Sequence, residues 1–321
     1  MDWTDTIGRR RAIVVLALVF AWTPPAHAFS PDVLRSVVSV LPEWPDRPPS
    51  APADGRPEEP EGTAVAVLAG GYLATNVHVL GRATRVTVRL ADGRIIASEI
   101  VGRDPLTDIA LIKVAVDLPV LPIGPEPPLA APVCAIGNQF GLGLSVTCGV
   151  VSAVHRSGTG FNPIEDFIQT DATVNPGGSG GALIDAEGRL VGLVSAIFTK
   201  KTDANIGVNF AASMRLVLRV AEDLRDHGRV RRGKSGLLVE DLTREERATT
   251  AGVRITRIAP ESAAAAAGLA VDDIITAMGG RAVTKGADVS AAVYLHRIGE
   301  AFEIAYLLAG EARTATLVLK P

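Results

Sequence analysis

Apolar positions along this chain fall into short runs broken by turn residues, and very few of them trace a helical stripe. Runs over 63–68, 72–80, 85–90, 94–101, 108–114, 133–137, 145–154, 182–185 and 190–197 predict strands, with Gly70-Gly71, Asp92-Gly93 and Glu187-Gly188 as turn signals. Many short strands at this spacing predict a closed barrel or a sandwich. One helix closes the region. Val217, Val220, Ala221 and Leu224 share a face, Arg215, Arg219, Glu222 and Asp226 take the other, and Gly228 ends it. A basic, Gly-punctuated connector over 229–235 leads to a second unit. There, strands are expected over 236–241, 253–258, 273–278, 302–308 and 314–319 and helices over 263–267 and 288–297, with a capping box at Thr243 and Glu246. This pattern predicts a small, independent α+β domain over 236–321.

The first 28 residues stand apart. Arg9-Arg10-Arg11, an apolar run over 12–22 and the small residues Ala26-His27-Ala28 form a secretory signal peptide over 1–28. The apolar run is too short to cross a bilayer comfortably, although an uncleaved anchor is the alternative. Export, most simply to a bacterial periplasm, is therefore expected. A segment over 29–62 follows, and its proline-dense part reads as a loop that cannot offset its own ordering cost. The domain division is thus 1–28, 29–62, 63–228, 229–235 and 236–321.

Composition removes several function classes. With 47% hydrophobic and 21% charged residues, the 321-residue chain is that of a globular protein. A net charge of −3 gives no global field for nucleic acid, and 4% aromatics provide no evident base-stacking surface. Two cysteines exclude four-cysteine metal sites, and no metal is expected. Cys134 and Cys148 are equidistant from Gly141, the centre of an expected hairpin, which sets them opposite each other. A disulfide and two buried thiols are both compatible with that placement.

The candidate chemistry is nucleophilic catalysis by serine. It needs a base for the hydroxyl proton, a carboxylate to orient that base, and donors for the developing oxyanion. Ser179 sits among four glycines in Asn175–Gly181, where a sharply bent backbone can aim the N–H groups of Gly177 and Ser179 at one point. His78 stands at the end of an apolar strand, and Asp108 at the mouth of another. His155, His227 and His296 have no evident partners in the sequence. Each motif alone is weak.

Taken together, TNVHVL at His78, DPLTDIALIKV at Asp108 and TDATVNPGGSGGAL at Ser179 resemble the trypsin-like serine proteases of the HtrA/Deg family. AIGNQFGL at 135–142 and IGVNFAAS at 206–213 extend the resemblance, and the second unit resembles that family's PDZ domain. The resemblance implies a mostly β fold, a double β-barrel followed by a small α+β PDZ domain. It implies His78 as general base, Asp108 as its orienter, Ser179 as nucleophile, and the Gly177 and Ser179 amides as oxyanion hole. It implies no cofactor, and it implies homotrimers. Three departures stand out: Gly178 where the family commonly has Asn, Val77 where a polar or small residue is common, and Thr63-Ala64 in place of Gly-Ser-Gly.

Thr173, six residues before Ser179, is expected at the floor of the substrate pocket, with Ala196, Ile197 and Phe198 at its border. No carboxylate stands there, so a small or medium aliphatic residue is expected before the scissile bond. In the second unit, Ser235, Gly236, Leu237 and Leu238 resemble a PDZ carboxylate loop, which captures peptide C-termini by strand addition. The expected activity is cleavage of unfolded or misfolded proteins in quality control. The rivals are a peptide-binding chaperone with a dormant site and a regulatory protease with a single target.

Overall fold

A computed structural model describes residues 30–45, 62–197 and 206–321. The expected signal segment, most of the proline-rich stretch and Phe198 lie outside the described residues. Strands β1 (Val37–Glu43), β2 (Gly62–Leu68), β3 (Tyr72–Asn76), β4 (Arg85–Arg89), β5 (Ile95–Asp104) and β6 (Ile109–Val114) close into a barrel in the order β1-β2-β3-β6-β5-β4. Strand β1 was not among the expected strands: it lies in the segment over 29–62, just ahead of the proline-dense part read as a loop. It nevertheless completes the barrel, pairing with both β2 and β4.

A second barrel follows, built from β7 (Pro132–Gly137), β8 (Ser145–Arg156), β9 (Phe167–Thr170), β10 (Ala182–Asp185), β11 (Leu190–Ile197) and β12 (Asn209–Ser213), in the order β10-β11-β12-β9-β8-β7. Cys134 and Cys148 are directly opposed on β7 and β8 and form a disulfide. A shared core joins the barrels, with Val65, Ile109 and Leu111 of the first meeting Ile136, Phe167, Leu193 and Phe210 of the second.

Between residues 77 and 80 a single helical turn, α1 (Val77–Leu80), interrupts what the sequence suggested was one strand. The expected closing helix is α2 (Met214–His227), started by the Ser213 side chain, which accepts from the Leu216 N–H, and ended by Gly228 at φ 66°. Leu216, Val217, Val220, Ala221 and Leu224 are buried on the barrels, the leucines and valines each contributing about 1.5–3 kcal/mol. Arg219 is not on a solvated face as expected. It is buried and paired with Asp223 at 2.7 Å, which satisfies the charge that burial would otherwise penalise.

The second unit has its own core, which includes Ile255, Ile275, Met278, Ile304 and Leu317. Its elements are β13 (Leu237–Asp241), β14 (Val253–Ile258), α3 (Ala263–Ala266), β15 (Ile274–Met278), β16 (Arg281–Ala282), α4 (Gly286–Leu295), β17 (Ala301–Leu308) and β18 (Glu311–Val318). The sheet order is β13-β14-β15-β17-β18, with β16 on β15. Thr243 and Glu246 cap each other reciprocally at 3.3 and 2.8 Å.

Polar contacts hold this unit to the barrels. Arg281 reaches Asp166 (2.8 Å) and Glu126 (3.2 Å), Lys285 Nζ donates to the Ser157 carbonyl (2.5 Å), and Ser157 Oγ donates to Asp288 (2.6 Å). Arg297 pairs with Glu222 and Asp223, and Arg232 of the connector with Asp104. Two histidines without evident sequence partners have them here. His155 lies between Asp166 (3.5 Å) and Glu126 (3.0 Å), and these carboxylates raise its pKa to about 9. His296 is buried and stacked on Phe302, and burial lowers its pKa. Its neutral ring donates from Nδ1 to the Ala292 carbonyl (2.7 Å) and accepts at Nε2 from Arg215 (3.0 Å).

Candidate active site

The two barrels meet at a cleft of about 480 Å³ lined by His78, Asp108, Ser179, Ser195, Phe161, Asn162, Val174, Asn175 and Pro176. His78 reaches it from the turn α1, and Asp108 grips that turn at four points. The Asp108 carbonyl accepts from the Val77 N–H (3.0 Å) and from Asn76 Nδ2 (3.1 Å). The Asp108 carboxylate accepts from the His78 N–H at Oδ1 (2.9 Å) and meets His78 Nδ1 at Oδ2 (2.6 Å). Asp108 itself has φ 59°, an uncommon backbone state for a non-glycine residue and one that clusters at functional positions. Its carboxylate is 15% exposed and the His78 side chain 50%, so the ring is oriented from behind and open in front. A proton on Nδ1 leaves Nε2 as an acceptor facing the cleft.

Ser179 lies across the cleft, and its Oγ donates to the Ser195 carbonyl at 3.5 Å. The loop that carries it is arranged by carbonyl groups. Asn175 O accepts from Gly178 N–H, Pro176 O from Phe140 N–H, Gly178 O from Gly181 N–H and Ser179 O from Thr63 N–H, at 2.8–3.0 Å. Gly177 O accepts from Thr63 Oγ1 (2.6 Å). All five successive carbonyls are therefore occupied. The N–H groups of Gly177 and Ser179 donate to nothing among the described residues. Because a trans peptide points its C=O and N–H in opposite directions, the Pro176 carbonyl turned toward Phe140 aims the Gly177 N–H away from it. The arrangement is chemically suited to receiving an oxyanion.

A Cβ is excluded at three of the four glycines, Gly181 among them, where it would lie 2.2 Å from Ile136 O. Gly177 and Gly180 have φ 90° and 82°, and a Cβ would lie 2.3 Å from Asn138 O or 1.9 Å from Thr63 O. Gly178, the departure from the resembled pattern, has no such constraint. A Cβ there meets its nearest atoms at 3.0–3.2 Å, so a side chain fits if the neighbours give slightly.

Thr63 is the residue that sequence reasoning missed. It is fully buried and binds Gly177 O and Ser179 O as donor, while its own oxygens accept from Asn138 N–H (3.0 Å) and Thr75 Oγ1 (2.7 Å). The departure at 63-64 was visible in the sequence. Its consequence was not, because the Gly177 and Ser179 carbonyls that Thr63 holds lie more than a hundred residues away.

The expected substrate pocket is only partly assembled as foreseen. Thr173 is exposed, and its carbonyl accepts from Thr147 Oγ1 and Gln139 Nε2. Val174, together with Asn175 and Pro176, lines the cleft in its place. Ala196 and Ile197 lie on β11, where Ala196 pairs with Phe210 and Ile197 with Asn209, but their side chains, like Phe198, fall outside the described residues. Phe161 and Asn162, which the sequence did not mark, form another wall.

In the second unit, the Ser235 carbonyl accepts from Ala264 N–H (2.9 Å) and its Oγ from Leu237 N–H (3.2 Å). Gly236 has φ 77°, with Ser262 Cβ 2.1 Å from where its own Cβ would be. Leu237 packs with Val239 against the domain core, whereas Leu238 is half exposed on the opposite face. Among the described residues, strand β13 pairs with β14 alone, which leaves its other edge open, and α4 is tied to the end of β13 by the Gly286 N–H donating to Asp241 (2.7 Å).

The chain matches the model of the trypsin-like peptidase domain over residues 62–193 and that of the PDZ domain over 216–319. It is 36% identical to the periplasmic serine endoprotease DegP of Salmonella typhimurium, over 78% of this chain and 55% of that protein. The Escherichia coli K12 DegP is also 36% identical, over 78% and 54%. The chain thus spans about half the length of the curated relatives it matches. Among solved structures it resembles the HtrA-type protease AlgW with tripeptide, with a TM-score of 0.68 and 34% identity over 89% of this chain and 94% of that one. A serine endoprotease from Yersinia pestis follows at a TM-score of 0.57 and 31% identity, over 89% and 94%. Two six-stranded barrels followed by a PDZ domain, with identity above 30% across nearly all of an HtrA-type chain, show that this protein belongs to the HtrA/DegP family of serine proteases.

Proposed function

We propose that this chain is an exported serine endopeptidase that cleaves unfolded or misfolded proteins in the bacterial periplasm. The observation that carries the reading is the meeting of an Asp108-oriented imidazole, the Ser179 hydroxyl and two undonated amides in one cleft. In the mechanism, His78 Nε2 takes the Ser179 proton as Oγ attacks the scissile carbonyl. Asp108 stabilises the imidazolium that results and fixes its orientation through two contacts. The Gly177 and Ser179 amides receive the oxyanion, His78 then protonates the leaving amine, and water hydrolyses the acyl-enzyme by the same route in reverse.

The open edge of β13 beside α4 supports a role for the PDZ domain in reading extended C-termini, with Ser235, Gly236, Leu237 and Leu238 at the carboxylate end. The periplasmic setting rests on the expected signal segment and on the names of the DegP relatives. Ser179→Ala is the decisive test. Wild type is expected to hydrolyse β-casein and to be labelled on Ser179 by a fluorophosphonate, and the variant to do neither. A wild type that does neither is a binding protein and not a protease.

A further inference from the structure

The loop over 157–164 is organised by one buried carboxylate. Glu165 is 3% exposed, and no cation pairs with it among the described residues. Its Oε2 accepts from the Thr159 N–H (2.6 Å). Its Oε1 accepts from Thr159 Oγ1 (2.8 Å), the Phe161 N–H (2.8 Å) and the Asn162 N–H (2.9 Å). Thr159 stands between Gly158 and Gly160, with φ 57° and 92°, so the backbone there has little preference of its own. Four donors converging on one side chain supply the missing constraint.

What the constraint holds is part of the cleft. Phe161 and Asn162 line it together with His78, Asp108 and Ser179. The Phe161 ring is 39% exposed and rests on Phe210 and Phe167, with centroids 5.6 and 6.4 Å away. From the same loop, the Ile164 N–H donates to the Leu106 carbonyl (2.9 Å) and Asn162 Nδ2 to the Thr107 carbonyl (3.5 Å), in the turn that leads into Asp108. The loop thus spans from the second barrel to the first at the wall of the cleft.

We propose that Glu165 is a positioning residue for peptide cleavage, holding loop 157–164 so that Phe161 presents an apolar wall to a hydrophobic side chain flanking the scissile bond. The inference rests on the reading of Ser179 as nucleophile for its activity consequences only. Glutamine cannot replace the carboxylate, because it has one carbonyl oxygen. If that oxygen keeps the three donors on the Oε1 side, the amide NH₂ opposes the Thr159 N–H.

The test uses the full chain with E165Q, F161A and F161L. Amide hydrogen exchange at Thr159, Phe161 and Asn162 is expected to rise at least tenfold in E165Q with β9 unchanged, and this readout is independent of activity. Fluorophosphonate labelling of Ser179, which needs no bound side chain, is expected to fall less than casein cleavage does in E165Q and F161A. The KM for β-casein is expected to rise at least tenfold in E165Q and F161A with kcat within threefold, and F161L is expected to recover most of the loss. Unchanged exchange in E165Q, a KM within twofold of wild type, or a labelling rate that falls in parallel with casein cleavage each overturns the proposal. Absence of labelling in wild type instead overturns the nucleophile assignment and leaves the exchange result to decide the role of Glu165 in the loop.

Discussion

Replacing His155 by glutamine tests how much a charged cluster on the second barrel contributes. The folded protein raises the His155 pKa from 6.5 to about 9, first through Asp166 and then through Glu126, against burial and the nearby Arg281 cation. At 1.36 kcal/mol per tenfold change in proton affinity, this is a ceiling of about 3.4 kcal/mol. Because the side chain is 33% exposed, solvent screening reduces the useful figure to about 2 kcal/mol. The folded pKa lies above the unfolded one, so the stabilisation is complete below pH 6.5 and disappears as the pH passes through about 9. Glu126 and Asp166 have their own pKa values lowered, so both remain ionised down to about pH 5. Differential scanning calorimetry of wild type and H155Q at pH 6, 8 and 10 is the assay. For a unit of this size about 2 kcal/mol corresponds to a barrel melting difference of ~4–8 °C at pH 6, and the difference is expected to shrink toward zero at pH 10. A difference that is constant across the range assigns the effect to packing and refutes the electrostatic reasoning. A second check reads the ring directly. Arg281 lowers the His155 pKa, so Arg281→Ala is expected to raise it further in an NMR titration.

Two other changes probe the catalytic geometry and the disulfide. Asp108→Asn has to turn its one oxygen to the His78 backbone N–H, a permanent donor, which places the amide NH₂ against Nδ1 and drives the ring proton to Nε2. That tautomer cannot accept from Ser179, so kcat on β-casein is expected to fall by ~10⁴ with folding intact by circular dichroism. Reduction of the Cys134–Cys148 bridge opens a loop with a sequence separation of 14, and urea unfolding is expected to show a loss of about 3 kcal/mol; equal midpoints for reduced and oxidised protein contradict this.

What the sequence made legible follows from the range of the physics involved. Turn pairs such as Asp92-Gly93, the alternation along β5, the stripe on α2 and the Thr243–Glu246 box are local, and each stands in the structure where expected. The missed strand β1 carries a local signal in the run Val37-Val38-Ser39-Val40-Leu41, but five consecutive buried positions show no alternation, and its place in the barrel is set by pairing with β2 and β4. His78, Asp108 and Ser179 could be proposed because their three motifs, each weak alone, occur together in the pattern of one family. The side chains that shape the cleft could not, since Thr63 acts through carbonyls over a hundred positions away and Glu165 through the backbone of a glycine-flanked loop. An ordinary threonine and an ordinary glutamate have no motif, and their importance arises only where the fold closes. The same reasoning explains why His155 and His296 looked partnerless. His155 finds Asp166 and Glu126 only once the second barrel closes, and His296 finds Arg215 across the interface between barrel and second unit, 81 positions away. The chemistry of this enzyme family is thus written locally in three short motifs, whereas the precision of its cleft and the coupling between its domains are properties of contacts at long sequence separation.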